Sequence, residues 1–363
     1  MFKQAFGVFI AVSGLSTAAM AQTPASPPDA GASCALPNIA AAVELDPVAG
    51  SKLVTVPVEI NGKPKQFLLV AGTGLTMISQ ATVRDLKLVD DNKRTEVFQT
   101  DVTSIDDTIE TRDFTVNSTI AVNMVDARNA RATDGKARVR TNTFTIGGAT
   151  GKNLVFAVAS DTDIAKSAPY DGILTGDFFK QYDVELDFAR MKLTYLTPNT
   201  CSDPHRVAFW PHGEVAIIPM DMVDGKIQVQ VEIAGHKIDA MLDTGSDRTV
   251  MRRDIAENEV GLKADSPQMP AAGDLRDGKG MQVYTASLPK ISFAGGVTAF
   301  NVPAMVQANS MAHNLHKEAV LGSRAQFKAD PRIPAMTLGM DVLRQLHLYV
   351  VYGQNKIYMT AAE

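Results

Sequence analysis

Apolar and polar residues alternate with a period of two through Leu53-Val54-Thr55-Val56-Pro57-Val58, Lys226 to Val231 and Leu193-Thr194-Tyr195-Leu196. An extended strand sends successive side chains to opposite faces, so each of these runs predicts a half-buried β-strand. Turn dipeptides punctuate the runs, Asn61-Gly62 and Asp224-Gly225 among them, and predict hairpins. Helical periodicity is short and local, at Ser79 to Leu86 and Arg252 to Val260. The chain reads as mainly β with a few short helices.

The pattern occurs twice. Val58-Glu59-Ile60-Asn61-Gly62 leads through Leu69 to Val70-Ala71-Gly72-Thr73, and Val231-Glu232-Ile233-Ala234-Gly235 leads through Leu242 to Asp243-Thr244-Gly245-Ser246. Further matches follow in order. Asp134-Gly135-Lys136 matches Asp277-Gly278-Lys279, Phe144 to Gly148 matches Ile291 to Gly296, and Gly176 to Gln181 matches Met340 to Gln345. Repeated segments at matching places predict an internal duplication. The first lobe is expected over residues 50–200, a linker with Pro204, Trp210 and Pro211 over 201–212, and the second lobe over 213–363.

Composition narrows the setting. Of 363 residues 45% are hydrophobic and 21% charged, which is ordinary for a globular chain. A net charge of −5 with no basic patch argues against nucleic acid as a partner. Residues 1–21 carry Lys3, an apolar stretch to Leu15 and Ala19-Met20-Ala21, the layout of a signal peptide cleaved after Ala21. The apolar stretch is too short for a membrane anchor, so no membrane association is expected after cleavage. The product is expected to be exported, to a periplasm or beyond the cell. Residues 22–49 begin with a proline-rich segment and are expected to form a disordered leader. Export permits a disulfide, and Cys34 and Cys201 bracket the first lobe, so one bridge would tie its beginning to its end; two separate buried thiols is the other possibility.

The asymmetry between the copies carries the chemistry. Met241-Leu242-Asp243-Thr244-Gly245-Ser246-Asp247-Arg248-Thr249-Val250, followed by Leu338-Gly339 about a hundred residues later, resembles the aspartic proteases, and the retropepsin-like branch most closely. The resemblance implies two homologous closed β-barrel lobes, a peptide or protein substrate, and no cofactor or metal. It implies that Asp243 is the catalytic aspartate, Thr244 a hydroxyl bridge to the partner loop, and Gly245 the turn glycine. It also implies support from Ser246 and Gly339 and substrate contacts from Ser246 and Asp247. In this family two such loops meet. Two carboxylates share one proton across a water because like charges a few ångströms apart cannot both ionise.

The first lobe departs from that pattern together at several places. Val70 stands for the aspartate, Ala71 for the threonine and Thr175 for the later glycine, while Gly72 is kept. The second lobe also has Met340 where the viral family has an arginine. Two arrangements are open. Second lobes of two molecules would rebuild a dyad as a homodimer, or the lobes of one chain would pair and leave a cleft with one carboxylate. The corresponding functions are an exported aspartic endopeptidase in which Asp243 activates water, and a catalytically impaired pseudoprotease that binds extended peptides between its lobes. A third reading is a structural protein with a relic motif.

A covering hairpin is expected at Ala272 to Met281, with Gly273, Gly278 and Gly280 for flexibility and Gly278 and Gly280 near substrate; Arg131 to Ala137 is the first-lobe candidate. Gln307 to Pro334 has no first-lobe counterpart. Weaker signals receive ordinary readings. Gly147 to Asn153 is a hairpin turn rather than a phosphate loop, and Ser287 to Lys290 is a strand lead-in. His313 and His316 are solvated, and Asp177 and Asp341 are helix caps.

Overall fold

The computed structural model describes residues 37–71, 75–90, 137–160, 164–179, 182–199, 201, 207–208, 210, 215–223, 225–274, 282–307 and 334–362. The expected signal peptide, Cys34, Gly72, the hairpin tip with Gly278 and Gly280, most of 131–137, and His313 and His316 lie outside these residues.

In the second half, strand Lys226–Ile233 is followed in space by His236–Leu242, Met336–Leu338, Thr249–Arg252, Thr298–Gln307 and Gln282–Phe293. The last returns to the first through Val231 opposite Phe293 and Glu232 opposite Ser292, which closes a barrel. Alternation sends Ile227, Val229, Val231 and Ile233 inward, all at most 4% exposed, against Leu242, Leu288 and Leu338. Burial of such side chains contributes about 1.5–3 kcal/mol each, so the period-two pattern fixes which face of each strand turns inward.

The first half follows the same order: Val54–Ile60, Lys63–Val70, Gly172–Thr175, Met77–Ser79, Val155–Ala159 and Arg138–Arg140. It curls without closing. Where the second barrel has one continuous strand, this half has Arg138–Arg140 on one neighbour and Thr143–Ile146 on the other. The break falls at Asn142, where Asn142 and Thr143 donate their N–H groups to Asn61 Oδ1 at 2.8 and 3.0 Å. Asn61 and Gly62 both have positive φ (52° and 74°), as a tight hairpin turn requires. Gly147 and Gly148 also turn a hairpin, between Thr143–Ile146 and Ala149–Lys152. Ser79 caps helix Gln80–Asp85 by accepting from Thr82 N–H at 3.1 Å, and a second short helix spans Arg253–Asn258.

Between the halves runs a six-stranded antiparallel sheet in the order Ile39–Glu44, Lys192–Leu196, Asp183–Asp187, Leu346–Val351, Lys356–Ala361, Ala216–Val223. Its central pair takes one strand from each half, with Leu186 opposite Leu348 and Asp187 opposite His347. One expectation needs correction here. The stretch 22–49 is not disordered throughout, because Ile39–Glu44 pairs along Lys192–Leu196 and buries Ala41. Within the expected linker 201–212, Val207, Ala208 and Trp210 are buried, and the Trp210 ring stacks on His347 at 4.1 Å. In the first case the open edge of Lys192–Leu196 supplies backbone hydrogen-bond partners, and in the second a large aromatic ring is buried.

His347 also meets Glu185 Oε1 at 3.0 Å, and Asp183 takes the N–H groups of Asn199 and Tyr352. The join between the halves is therefore polar as well as apolar, and its buried charges are partnered.

Candidate active site

Asp243 ends strand His236–Leu242 and extends the parallel pairing with Met336–Leu338, donating its N–H to Leu338 O at 3.0 Å. The chain then turns: Gly245 N–H donates to Asp243 Oδ1 at 2.9 Å and Ser246 N–H to Asp243 O at 3.3 Å. The carboxyl is thus held at the mouth of the barrel by its own loop. Burial raises its pKa above the usual aspartate value, while the Gly245 N–H and, less, the Lys226 ammonium act in the opposite direction.

Thr244 is 1% exposed and reaches into the first half of the same chain. Its Oγ1 donates to Leu69 O at 2.7 Å and accepts from Ala71 N–H at 2.9 Å. One hydroxyl thus satisfies a donor and an acceptor of the opposite loop, and Ala71 has none to return. Asp247 supplies a second tie, since its Oδ1 accepts from Ser51 Oγ at 2.7 Å and Lys52 N–H at 2.6 Å. The resemblance implies a substrate contact at Asp247; here its Oδ1 is engaged by the first half. Ser246 Oγ donates to the Arg248 carbonyl at 2.8 Å.

Val70 ends strand Lys63–Val70 as Asp243 ends its own, and it is 5% exposed. It packs with Leu68, Met77 and Ile173 in a small apolar cluster. A Cβ added at Gly245 would lie 2.8 and 2.9 Å from the Val70 methyl carbons and 3.1 Å from Asp243 Oδ1. Val70 therefore stands beside the Asp243 carboxyl within one chain. Of the two arrangements open from the sequence, this is pairing of the two halves of a single molecule, and the ground opposite Asp243 is apolar.

Behind the loop, Thr249 N–H donates to both Asp341 oxygens at 3.0 and 2.9 Å and Thr249 Oγ1 donates to Oδ1 at 2.7 Å. Thr249 Oγ1 accepts from Gly339 N–H at 3.2 Å. The same bond recurs in the first half, where Thr175 N–H donates to Thr76 Oγ1 at 3.1 Å. Asp341 was expected to cap its helix. Instead Gly339 is the cap residue, with no side-chain cap bond, because the Asp341 carboxylate is drawn to the three Thr249 donor contacts. Gly339 is required for a steric reason, as a Cβ there would lie 2.4 Å from the Arg248 carbonyl. Sequence reading missed Ser51, Lys52 and Lys226. Lys226 opens the strand that precedes the motif's own, and no motif marks any of the three.

The strands Ala271–Asp274 and Gln282–Phe293 pair as the base of the hairpin expected to cover the site. Among the described residues no cluster of His, Cys, Asp and Glu fits a metal ion. Cys201 is disulfide-bonded.

Residues 229–342 match a family model described as an aspartyl protease. The chain is similar to the crystal structure of a retropepsin-like aspartic protease from Rickettsia conorii, with 14% identity, TM-score 0.28, and coverage of 40% of this chain and 89% of the other. It is also similar to Basic 7S globulin from soybean, with 10% identity, TM-score 0.44, and coverage of 90% and 96%. No curated protein sequence matches the chain.

Proposed function

We propose that this protein holds an extended polypeptide segment in a cleft beside Asp243 and does not cut it by the two-carboxylate mechanism. The observation that carries this reading is Val70, an aliphatic side chain at the place that corresponds to Asp243 and in the same chain. A dyad divides labour: one carboxylate takes a proton from water while the protonated partner donates to the scissile carbonyl. Val70 can do neither. Members of one catalytic unit are non-additive, so losing one removes most of the rate. The ties from Thr244 and Asp247 to the first half hold both sides of the cleft in register, which serves binding as well as catalysis.

A second reading has one observation in its favour: Asp243, Thr244 and Gly245 are intact, and burial lifts the Asp243 pKa toward the range useful for proton transfer. On this reading the protein is a slow endopeptidase with water as nucleophile. A second Asp243 from another molecule would first have to displace Val70. We place the protein outside the cytoplasm, from the signal-like residues 1–21; amino-terminal sequencing of the exported protein should begin at Gln22.

The test uses the mature chain, residues 22–363, with an unfolded polypeptide such as oxidised insulin B chain. Calorimetry is expected to show binding, and mass spectrometry no cleavage between acid and neutral pH. Val70→Asp with Ala71→Thr is expected to cleave. Wild type cutting as fast as that double variant, with the cutting lost in Asp243→Asn, overturns the binding reading in favour of the protease.

A further inference from the structure

We propose that Ile164 fills the first half's side of the cleft, so that a bound polypeptide is selected only at every second residue, by side chains that face the second half. Given the peptide-binding reading, on which this rests, the ligand class is an extended segment with aliphatic residues at alternate positions.

Alternation gives each sheet two faces. In the first half Phe67, Leu69, Ile78, Phe156 and Leu174 turn into the main core, while Leu68, Val70, Met77, Ala157 and Ile173 form a separate cluster on the opposite face. Val70 brings that face to Gly245, and so to the cleft. Strand register sets four of its residues in one row, with Leu68 opposite Ile173, Ile173 opposite Met77, and Met77 opposite Ala157. The second half has the same row at matching places, with Met241 opposite Thr337, Thr337 opposite Val250, and Val250 opposite Met305. Asp243 follows Met241 by two residues, as Val70 follows Leu68.

The rows differ in exposure. Leu68, Ile173, Met77 and Ala157 are all buried, with Ile164 (5% exposed) in their cluster and Ala168 and Tyr170 packed against it. Ile164 lies in the connection between Val155–Ala159 and Gly172–Thr175, two of the strands that carry the row. Both ends of its segment are tied down. Ile164 N–H donates to Ser160 O at 3.0 Å, and Asp171 N–H donates to Gln66 O at 2.7 Å. Asp171 Oδ2 accepts from Gln66 N–H in return, at 2.9 Å. In the second half Thr337, Val250 and Met305 are only half-buried. The first half thus takes an aliphatic side chain from its own chain, and that side chain shows what chemistry the matching face suits. An extended segment sends successive side chains to opposite sides, so with one side filled only alternate residues meet an open apolar surface.

The test is calorimetry on the mature chain, residues 22–363, with three peptides. Each has two lysines at both ends, and the central residues are Leu-Ser-Leu-Ser, Leu-Leu-Leu-Leu or Ser-Ser-Ser-Ser. Wild type is expected to bind the two leucine peptides with affinities within about twofold of each other, and the serine peptide about tenfold more weakly, the effect of one leucine side chain left unburied. Ile164→Ala is expected to bind the all-leucine peptide about tenfold more tightly than the alternating one, while Ile164→Leu keeps the wild-type pattern. A wild-type preference of about tenfold for the all-leucine peptide overturns the proposal without any variant, because it means both sides are open. Equal affinities for the two leucine peptides in folded Ile164→Ala overturn it as well. Both of these outcomes leave peptide binding itself standing. Binding of none of the three peptides, by wild type or variant, overturns the proposal together with the binding reading.

Discussion

Val70 lies against Gly245, its methyl carbons 2.8 and 2.9 Å from where a Cβ on Gly245 would sit. Two loops from different halves of the chain are in van der Waals contact at the point where the family resemblance implies two carboxylates. Gly245→Ala should therefore destabilise by about 1–3 kcal/mol, the usual cost of overpacking. Val70→Ala removes the obstructing methyls, so the double variant should recover part of that loss. A urea-unfolding double-mutant cycle reads the coupling, and strict additivity would mean the loops are not in contact.

Gly339→Ala should be the harsher change. Its Cβ would meet the Arg248 carbonyl at 2.4 Å, and backbone cannot swing aside as a side chain can. The cost is expected to exceed about 3 kcal/mol, above the ordinary range for overpacking. A thermal midpoint within a few degrees of wild type would contradict the close approach.

Thr249→Val takes one donor from buried Asp341 and one acceptor from Gly339 N–H, leaving the Thr249 N–H in place. A buried polar group left unmatched costs about 1–3 kcal/mol, so that loss is expected. Thr249→Ser keeps the hydroxyl and should restore most of it. If Ser is no better than Val in chemical denaturation, the hydroxyl does not matter.

Burial pushes Asp183, at the seam between the halves, up to about 6 from 3.8, against hydrogen bonds from Asn199, Tyr352 and Tyr349. A folded pKa above the unfolded one means that the folded state keeps the proton longer. The stabilisation tied to that proton is present below about pH 3.8 and is lost as pH rises through about 6. Asp183→Asn should remove this part of the pH dependence. Wild type should then weaken relative to the variant between pH 4 and 6 in urea midpoints taken at each pH. Parallel curves would show that Asp183 titrates normally.

Much of this was legible in the residues. The alternation in Lys226 to Val231 and Leu53 to Val58 marks strands because a pleated chain buries every second side chain, whatever it packs against. Asn61-Gly62 marks a turn and Ser79 to Leu86 a short helix for equally local reasons. Asp243-Thr244-Gly245 stands out because a carboxylate, a hydroxyl and a residue without a Cβ must be adjacent to make such a loop. Other readings failed because their outcome rests on distant partners. Asp341 has the composition of a helix cap, yet Thr249, 92 residues earlier in the chain, claims its carboxylate. Ile39–Glu44 begins in a segment with the composition of a leader, and only the open edge of Lys192–Leu196 makes it a strand.

The sequence by itself determined that one half carries an acid and the other a valine at matching strand ends. Only the tertiary structure decided that the two ends meet in one chain, with Thr244 bonded to Leu69 and Ala71 and with Val70 on Gly245. Strand pattern is a property of neighbours along the chain. Which strand ends face each other depends on the central sheet, which closes across pairs such as Asp187 and His347, 160 residues apart.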